Sequence, residues 1–497
     1  MSPMACENDK IYRYHCLRIS GRTSLHEFQE EHAAYETLRR TAENRMNRAL
    51  LFLLCLVTLV FSSCSFLSLF QERDDFIRVR GTQFIHNNKP YYFAGTNLWY
   101  GYYLGAPGTA GNRPRLLREL DSLKANGIVN VRVLAASEES YIRGSVKPVI
   151  QPRPGDFDES LLQGLDFFLA EMAKRRMHCV LFLNNYWEWS GGMAIYNVWS
   201  GKEALDPYDT TKGWNAFMDF NGSFYSNQPA NKLFCDYVRK IVTRTNTVNG
   251  RVYSEDPTIM AWQLANEPRP GTVSPRGVAN LPSFNRWIDE TALFIHSLDT
   301  NHLVSTGSEG TVGSLLSAEN FLQSHSTPHI GYLTMHLWPR NWGWFDPQRA
   351  VETMPETQEK ATEYITNHLA LARKLNKPIV LEEFGIDRDS SEIRPGTPTT
   401  VRDGYYEMIV RMVYDSARAG APIAGYNFWA WGGEASARHA DGVWRKGDPF
   451  VGDPPQEPQG RNSIFLSDTS TLQIIRNNAM KFMRLGNADP LVTARRP

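Results

Sequence analysis

The stretch Ile259–Pro270, IMAWQLANEPRP, decides how the chain is read. Its apolar opening suits a buried strand, and it ends by placing Asn266 and Glu267 side by side. Pro268 follows at once, so the backbone can neither continue as a regular strand nor enter a helix freely there. An unpaired carboxylate inside an apolar layer is costly. The same group at a strand end facing a cleft is placed for acid–base chemistry, and the rest of the chain must supply its partner.

Outward from this run the same grammar repeats. Short apolar runs stand at 91–99 (YYFAGTNLW), 129–135 (VNVRVLA), 179–185 (CVLFLNN), 259–267 (IMAWQLANE), 303–310 (LVSTGSEG), 332–338 (YLTMHLW), 378–385 (PIVLEEFG) and 423–431 (IAGYNFWAW). Helical patterns lie between them, at 113–125, 159–176, 231–243, 283–298, 318–324, 357–375 and 399–419, with a last one at 471–485. Strands alternating with helices predict a parallel sheet. Eight such units in about 400 residues predict a (β/α)8 TIM barrel, one catalytic domain over 76–497 with inserted loops. An open doubly wound sheet would carry a Gly-rich phosphate loop after the first strand, and GTNLWYGYY is not one.

A barrel places its active residues at the C-terminal ends of the strands. Polar residues collect there: Arg132, Asn184, Asn185, Asn266, Glu267, His336, Glu383, with Trp429 among them. Glu382 and Glu383 end the seventh run, and strands four and seven lie across the barrel mouth from each other. Two carboxylates facing one cleft are what glycoside hydrolysis needs, one as proton donor and one as nucleophile. Neighbouring strand residues point to opposite faces, so only one of Glu382 and Glu383 is expected to face the pore. An isolated Asn-Glu-Pro more often marks a solvated or salt-bridged Glu; the pairing of the fourth and seventh runs carries the weight.

WQLANEP and VLEEFG resemble the acid/base and nucleophile motifs of clan A retaining glycosidases. FAGTNLWYGYY, VNVRVLA, LFLNNYWEWSGGM, HLWPRNWGWF and GYNFWAW, in that order over about residues 76–485, resemble the endo-β-1,4-mannanase subfamily of glycoside hydrolase family 5. The resemblance implies Glu267 as acid/base and Glu383, just before Phe-Gly, as nucleophile, with Glu382 structural or paired with a cation. It implies Arg132 holding the nucleophile ionised, Asn266 on the sugar 2-hydroxyl, His336 lining the site and Trp429 under the sugar at the cleavage point. Trp338 stands where the family often has Tyr; an indole N–H can still donate one hydrogen bond. Asn184, Asn185, Trp187, Glu188 and Trp189 are expected along the cleft, with Trp99, Tyr100, Trp342 and Trp344 extending it.

Composition narrows the partners. With 53 basic and 53 acidic residues, nothing favours nucleic acid or a charged polymer such as a uronic-acid glycan. Thirteen Trp suit packing and also sugar-ring platforms. Cys6, Cys16, Cys55 and Cys64 fall in the first 64 residues, leaving Cys179 and Cys235 in the body, expected as two buried free thiols with one bridge between them as the alternative; no metal or cofactor pattern is present.

Residues 1–75 form a separate, non-catalytic segment. MNRALLFLLCLVTLVFSSCSFLSLF, 46–70, has the basic start, apolar run and small residues of a secretory signal, with the natural start placed at Met46. Phe61-Ser62-Ser63-Cys64 resembles a loose lipobox, so Cys64 is a candidate lipidated tether to a membrane; cleavage and release, or an uncleaved anchor, are the other fates. The expectation is therefore a monomeric, secreted or membrane-tethered, retaining endo-β-1,4-mannanase acting on mannan, glucomannan or galactomannan. The alternatives are a β-glucanase, an exo-β-mannosidase, or a non-catalytic surface polysaccharide-binding lipoprotein.

Overall fold

The computed structural model describes residues 30, 33–42 and 75–486. Two compact units divide the chain at Arg73/Asp74. In the first, the described residues are helical and mostly exposed. The signal-like segment 46–70 and Cys6, Cys16, Cys55 and Cys64 lie outside the described residues, among which no helix is long and apolar enough to cross a membrane.

The second unit opens with a three-stranded antiparallel meander, β1 (Arg78–Arg80), β2 (Gln83–His86) and β3 (Lys89–Pro90). Eight parallel strands follow: β4 (Phe93–Asn97), β5 (Asn130–Leu134), β6 (His178–Phe182), β7 (Ile259–Gln263), β8 (Leu303–Ser305), β9 (Leu333–Leu337), β10 (Ile379–Phe384) and β11 (Ile423–Phe428). They run in ring order, with β11 pairing β4. Between β8 and β9 the ring is closed by Gly331 N–H to Val304 O at 2.8 Å and His336 N–H to Glu309 O at 3.0 Å. The eight expected runs contain these strands, β6 alone starting one residue earlier, and the barrel is the fold.

Helices cover the outside: α1 (Arg113–Ala125), α2 (Glu159–Lys174), α3 (Gly192–Trp199), α4 (Gly213–Gly222), α5 (Gln228–Val242), α6 (Pro275–Leu298), α7 (Ala318–His325), α8 (Ala350–Leu375), α9 (Thr400–Arg418) and α10 (Thr469–Leu485). Side-chain caps fix several starts, among them Asn112 on Arg115 N–H, Asp158 on Leu161 N–H and Ser317 on Asn320 N–H. Two helices start seven or eight residues before the expected positions. Helices α6 and α8 run through Pro282 and Pro355, where the sequence pattern stops. Each proline removes one backbone hydrogen bond, and packing of the following turns against the sheet outweighs that loss.

The barrel is sided. At its N-terminal mouth Phe84 of β2 packs with Phe93, Val180, Met260, Val380 and Ala424 and plugs the floor. Burying Phe84 contributes about 1.5–3 kcal/mol. Only the C-terminal mouth is left open. Cys179 is buried and Cys235 half-buried, and both are free.

Candidate active site

Strand β7 delivers Asn266 and Glu267 to the open mouth. Glu267 has φ +50°, a left-handed conformation uncommon outside glycine, Asn and Asp. Its N–H is held by Gly307 O at 2.9 Å. This turn, with Pro268 behind it, stops the strand and points the carboxyl over the mouth. There Glu267 Oε1 meets His336 Nδ1 at 2.6 Å, and Oε2 accepts from Trp187 Nε1 at 2.5 Å.

Strand β10 delivers Glu383 opposite. Its Oε1 accepts from Arg132 Nη1 at 2.5 Å and its Oε2 from Trp338 Nε1 at 3.2 Å; His336 Nδ1 lies 3.4 Å from Oε2. One oxygen each of Glu267 and Glu383 and a His336 nitrogen all fall within 4.8 Å of one another. Carboxyls that close leave no room for a water between them and the scissile bond, the geometry of a double displacement.

Glu382 departs from the simple alternation. The β9–β10 register shifts between Leu381 and Glu383, so Glu382 also turns into the barrel. It sits below the mouth, held by Gln263 Nε2 at 2.6 Å and lying 3.4 Å from Arg132 Nε. Only Glu383 of the pair reaches the cavity.

Arg132, fully buried, ties these groups together. It donates to Gln263 Oε1 at 2.8 Å, Asn97 Oδ1 at 3.2 Å and Asn266 Oδ1 at 2.8 Å as well as to Glu383, and its guanidinium stacks 4.5 Å over the Phe182 ring. A planar fork with five donors matches this set of acceptors, where an ammonium could not.

Above the carboxylates lies a cavity of about 470 Å³, bordered by Trp187, Asn266, Trp338 and Trp429. Trp338 and Trp429 meet edge to face at 5.9 Å. Gly385 makes their approach possible, since a Cβ there would lie 2.9 Å from Trp429 O and 3.2 Å from the Trp338 ring.

Several expected cleft residues sit elsewhere. Trp99 and Tyr100 are fully buried: Trp99 Nε1 donates to Gly452 O at 2.9 Å and Tyr100 Oη to Trp431 O at 2.9 Å, so both are packing groups. Trp344 packs on Trp342 and Tyr364, and only Trp342 reaches the cavity. Asn185 lies beneath the floor, where its Oδ1 accepts from Asn266 Nδ2 at 3.2 Å. Arg132 and His336 are likewise fully buried and touch the carboxylates rather than the open cavity. Sequence reasoning missed Arg269, although it stood in the opening stretch. Arg269 pairs with Glu309, stacks 5.0 Å from the Trp187 ring and borders the cavity. It also missed Tyr208 and Trp214 of the rim, which come from an irregular segment and an added helix with no motif to mark them.

Titration follows from burial and charge. Burial lowers His336, but the surrounding Glu383, Glu267 and Glu382 overcome it and raise the imidazole to about 10. It is therefore a cation at neutral pH. Burial raises Glu267, and the hydrogen bond from His336 with the charges of His336 and Arg269 brings it below the usual carboxylate range. Glu383 is pushed by burial to about 7 against the pull of His336 and Arg132. Two carboxyls this close titrate as a pair, so the site takes up one proton near pH 7, and that proton belongs to the pair rather than to one oxygen.

Two coupled carboxyls within 4.8 Å at the C-terminal mouth of a (β/α)8 barrel, beneath an aromatic-walled cavity, define a glycoside hydrolase. The chain belongs to glycoside hydrolase family 5: the model described as GH family 5 beta-mannosidase-like matches residues 74–487. It is 28% identical over 383 residues to tomato (Solanum lycopersicum) mannan endo-1,4-beta-mannosidase 4, covering 75% of this chain and 87% of that protein. It is 30% identical over 432 residues to putative mannan endo-1,4-beta-mannosidase 4 of Arabidopsis thaliana, covering 83% and 92%. Among solved structures, the family 5 mannosidase of Rhizomucor miehei is similar at TM-score 0.75 and 33% identity over 84% of this chain and 99% of that one. A mutant of that mannosidase was solved in complex with mannosyl-fructose.

Proposed function

We propose that the chain is a retaining endo-β-1,4-mannanase acting on mannan, glucomannan or galactomannan. The observation that carries the mechanism is the separation of Glu267 and Glu383 inside 4.8 Å, with Arg132 on one and His336 touching both. The curated relatives, each named a mannan endo-1,4-beta-mannosidase, support the substrate.

In the first step Glu383 attacks the anomeric carbon while Glu267 gives a proton to the leaving glycosidic oxygen. Arg132 keeps Glu383 ionised and aimed. His336 Nδ1, 2.6 Å from Glu267 and 3.4 Å from Glu383, sets its positive charge against both carboxylates and orients them. In the second step Glu267 takes a proton from water, which releases the sugar from Glu383 with net retention. Asn266 is held by Arg132 and Asn185 at the cavity floor, where the sugar 2-hydroxyl would lie. Trp429 supplies the flat apolar face under the ring.

A second reading, release of units from chain ends by an exo-β-mannosidase, is favoured by the 33% identity to the Rhizomucor miehei mannosidase. Reducing-sugar release from β-1,4-mannan and from carboxymethylcellulose, by wild type and by Glu383→Gln, tests the proposal. We expect mannan activity, lost about a thousandfold or more in the variant, a barrier increase of roughly 4 kcal/mol. Activity on cellulose alone would discard the substrate, and no activity on either would favour a binding protein. Export through segment 46–70, with Cys64 as a candidate lipid site, belongs to the same proposal and rests on the sequence. N-terminal sequencing of the mature native protein checks it, and a peptide from residues 1–45 would overturn it.

A further inference from the structure

No step of the double displacement uses Glu382, yet the carboxyl is only 1% exposed and lies inside the barrel beneath the reacting pair. Plain alternation along β10 would turn it outward, and the register shift against β9 brings it in. A buried charge needs partners. Gln263 Nε2 donates to both its oxygens, each at 2.6 Å. Arg132 Nε stands 3.4 Å and His336 Nε2 3.7 Å from its Oε2. From β4, Asn97 Nδ2 donates to its main-chain oxygen at 2.9 Å. Tyr332, just before β9, also feels its charge and stays a neutral phenol, raised by burial first and then by Glu382.

Both cations around Glu382 also serve the reacting pair. Arg132 turns Nε toward Glu382 and gives Nη1 to Glu383 at 2.5 Å. His336 turns Nδ1 toward Glu267 and Glu383, at 2.6 and 3.4 Å, and Nε2 toward Glu382. Carboxylates on both edges of the ring favour the imidazolium, in which both nitrogens carry protons. Burial raises Glu382, and Arg132, His336 and Gln263 together bring it below the usual carboxylate range. It is therefore ionised at neutral pH.

The charges at the mouth can be counted. Glu267, Glu382 and Glu383 stand against Arg132 and His336, three carboxyls to two cations. Arg269 and Glu309 at the rim add one of each sign and leave the balance unchanged. On the cavity side Glu188, Gln456 and Glu457 border the mouth. Burial raises Glu188 to about 7 and Glu457 to about 8, so below pH 7 these two carry little charge. One proton on the Glu267–Glu383 pair makes the count even. Without the Glu382 charge the count would be even with no proton there.

We propose that Glu382 is a positioning residue: from beneath, it holds Arg132 and His336 in place and supplies the negative charge that keeps one proton on the Glu267–Glu383 pair for the leaving oxygen. The inference rests on double displacement by that pair and adds what stocks it with its proton.

The test compares kcat/KM on β-1,4-mannohexaose across pH 4–9 for wild type and Glu382→Gln, which removes the charge at nearly equal volume. The wild-type basic limb lies near 7. In the variant it should move down by about one pH unit or more, so the rate at pH 7 relative to pH 5 falls about fivefold or more. Glu382→Asp keeps the charge and should return the limb toward the wild-type position. A purely structural role would lower the rate alike at both pH values; a limb unmoved or moved upward in Glu382→Gln would overturn the inference. A second readout needs neither that variant nor activity. In wild type labelled with 15N-histidine, the His336 signal, assigned by its loss in His336→Gln, should stay that of an imidazolium to about pH 8. A neutral His336 at pH 7 would overturn the inference even if Glu382→Gln does not fold. No hydrolysis of the hexaose by wild type would overturn the mannanase reading, and the histidine signal then decides the charge arrangement alone.

Discussion

Replacing Arg132 by Lys keeps a positive charge and removes the fork. The guanidinium serves four acceptors, on Asn97, Gln263, Asn266 and Glu383, and stands 3.4 Å from Glu382. A lysine offers three donors from one point on a shorter reach, so at least one of these bonds is lost, and a hydrogen bond to a charged group is worth about 1.5–3 kcal/mol. If the lost bond is the one to Glu383, kcat/KM on mannan should fall roughly 10- to 150-fold. The nucleophile must be ionised to attack, and with its best donor gone its proton is held more tightly. The acid limb of kcat/KM should therefore move upward by about one pH unit or more. Initial rates across pH 4–9, at substrate well below KM, measure both effects. A variant with unchanged kcat/KM and an unmoved acid limb would refute the role given to Arg132. Arg132→Met is a harsher control: it leaves Glu382 and Glu383 buried with His336 as the one cation beside them and should cost about 3–5 kcal/mol of stability, read as a fall in Tm.

Three further outcomes are expected. Trp338→Phe removes the 3.2 Å indole donor from Glu383 and should lower kcat about tenfold with little change in fold, checked by kinetics beside a thermal melt. The wild type should lose kcat/KM as pH rises through about 7, because the proton held by the Glu267–Glu383 pair is needed for leaving-group departure; a flat profile to pH 9 would count against the shared proton. His325 and His368 are buried and held neutral, each lowered by burial to about 4. A depressed histidine contributes stability that is present above its unfolded value near 6.5 and lost as pH falls toward 4, up to ~3 kcal/mol each. Urea unfolding at pH 7 and pH 4.5 should show that loss, diminished in His368→Gln.

The barrel was legible because its strands are short apolar runs at regular spacing, and polar residues at their ends are out of keeping with a core. Glu267 and Glu383 stood out for that reason. The meander at 78–90 was not legible: its strands are two to four residues long, and Phe84 has value only as a plug for a barrel that must already exist. Helices α6 and α8 were cut short because proline is a strong local signal that packing overrode. The bulge that turns Glu382 inward leaves no mark in an alternation pattern. Aromatic content could not separate Trp99, which is core, from Trp187 and Trp429, which border the cavity, because an indole packs on either kind of surface. Segment 448–460 reads as a Pro/Gly-rich loop, and the placement of Gln456 and Glu457 depends on contacts with residues more than 300 positions away.

Double displacement on β-mannan by Glu267 and Glu383 fixes the anomeric configuration of the first-formed product. Proton NMR of β-1,4-mannan within minutes of adding enzyme should show new β-configured reducing ends, with the α-anomer growing only as mutarotation proceeds. New α-anomer appearing first, or no new reducing ends from mannan at all, would contradict it.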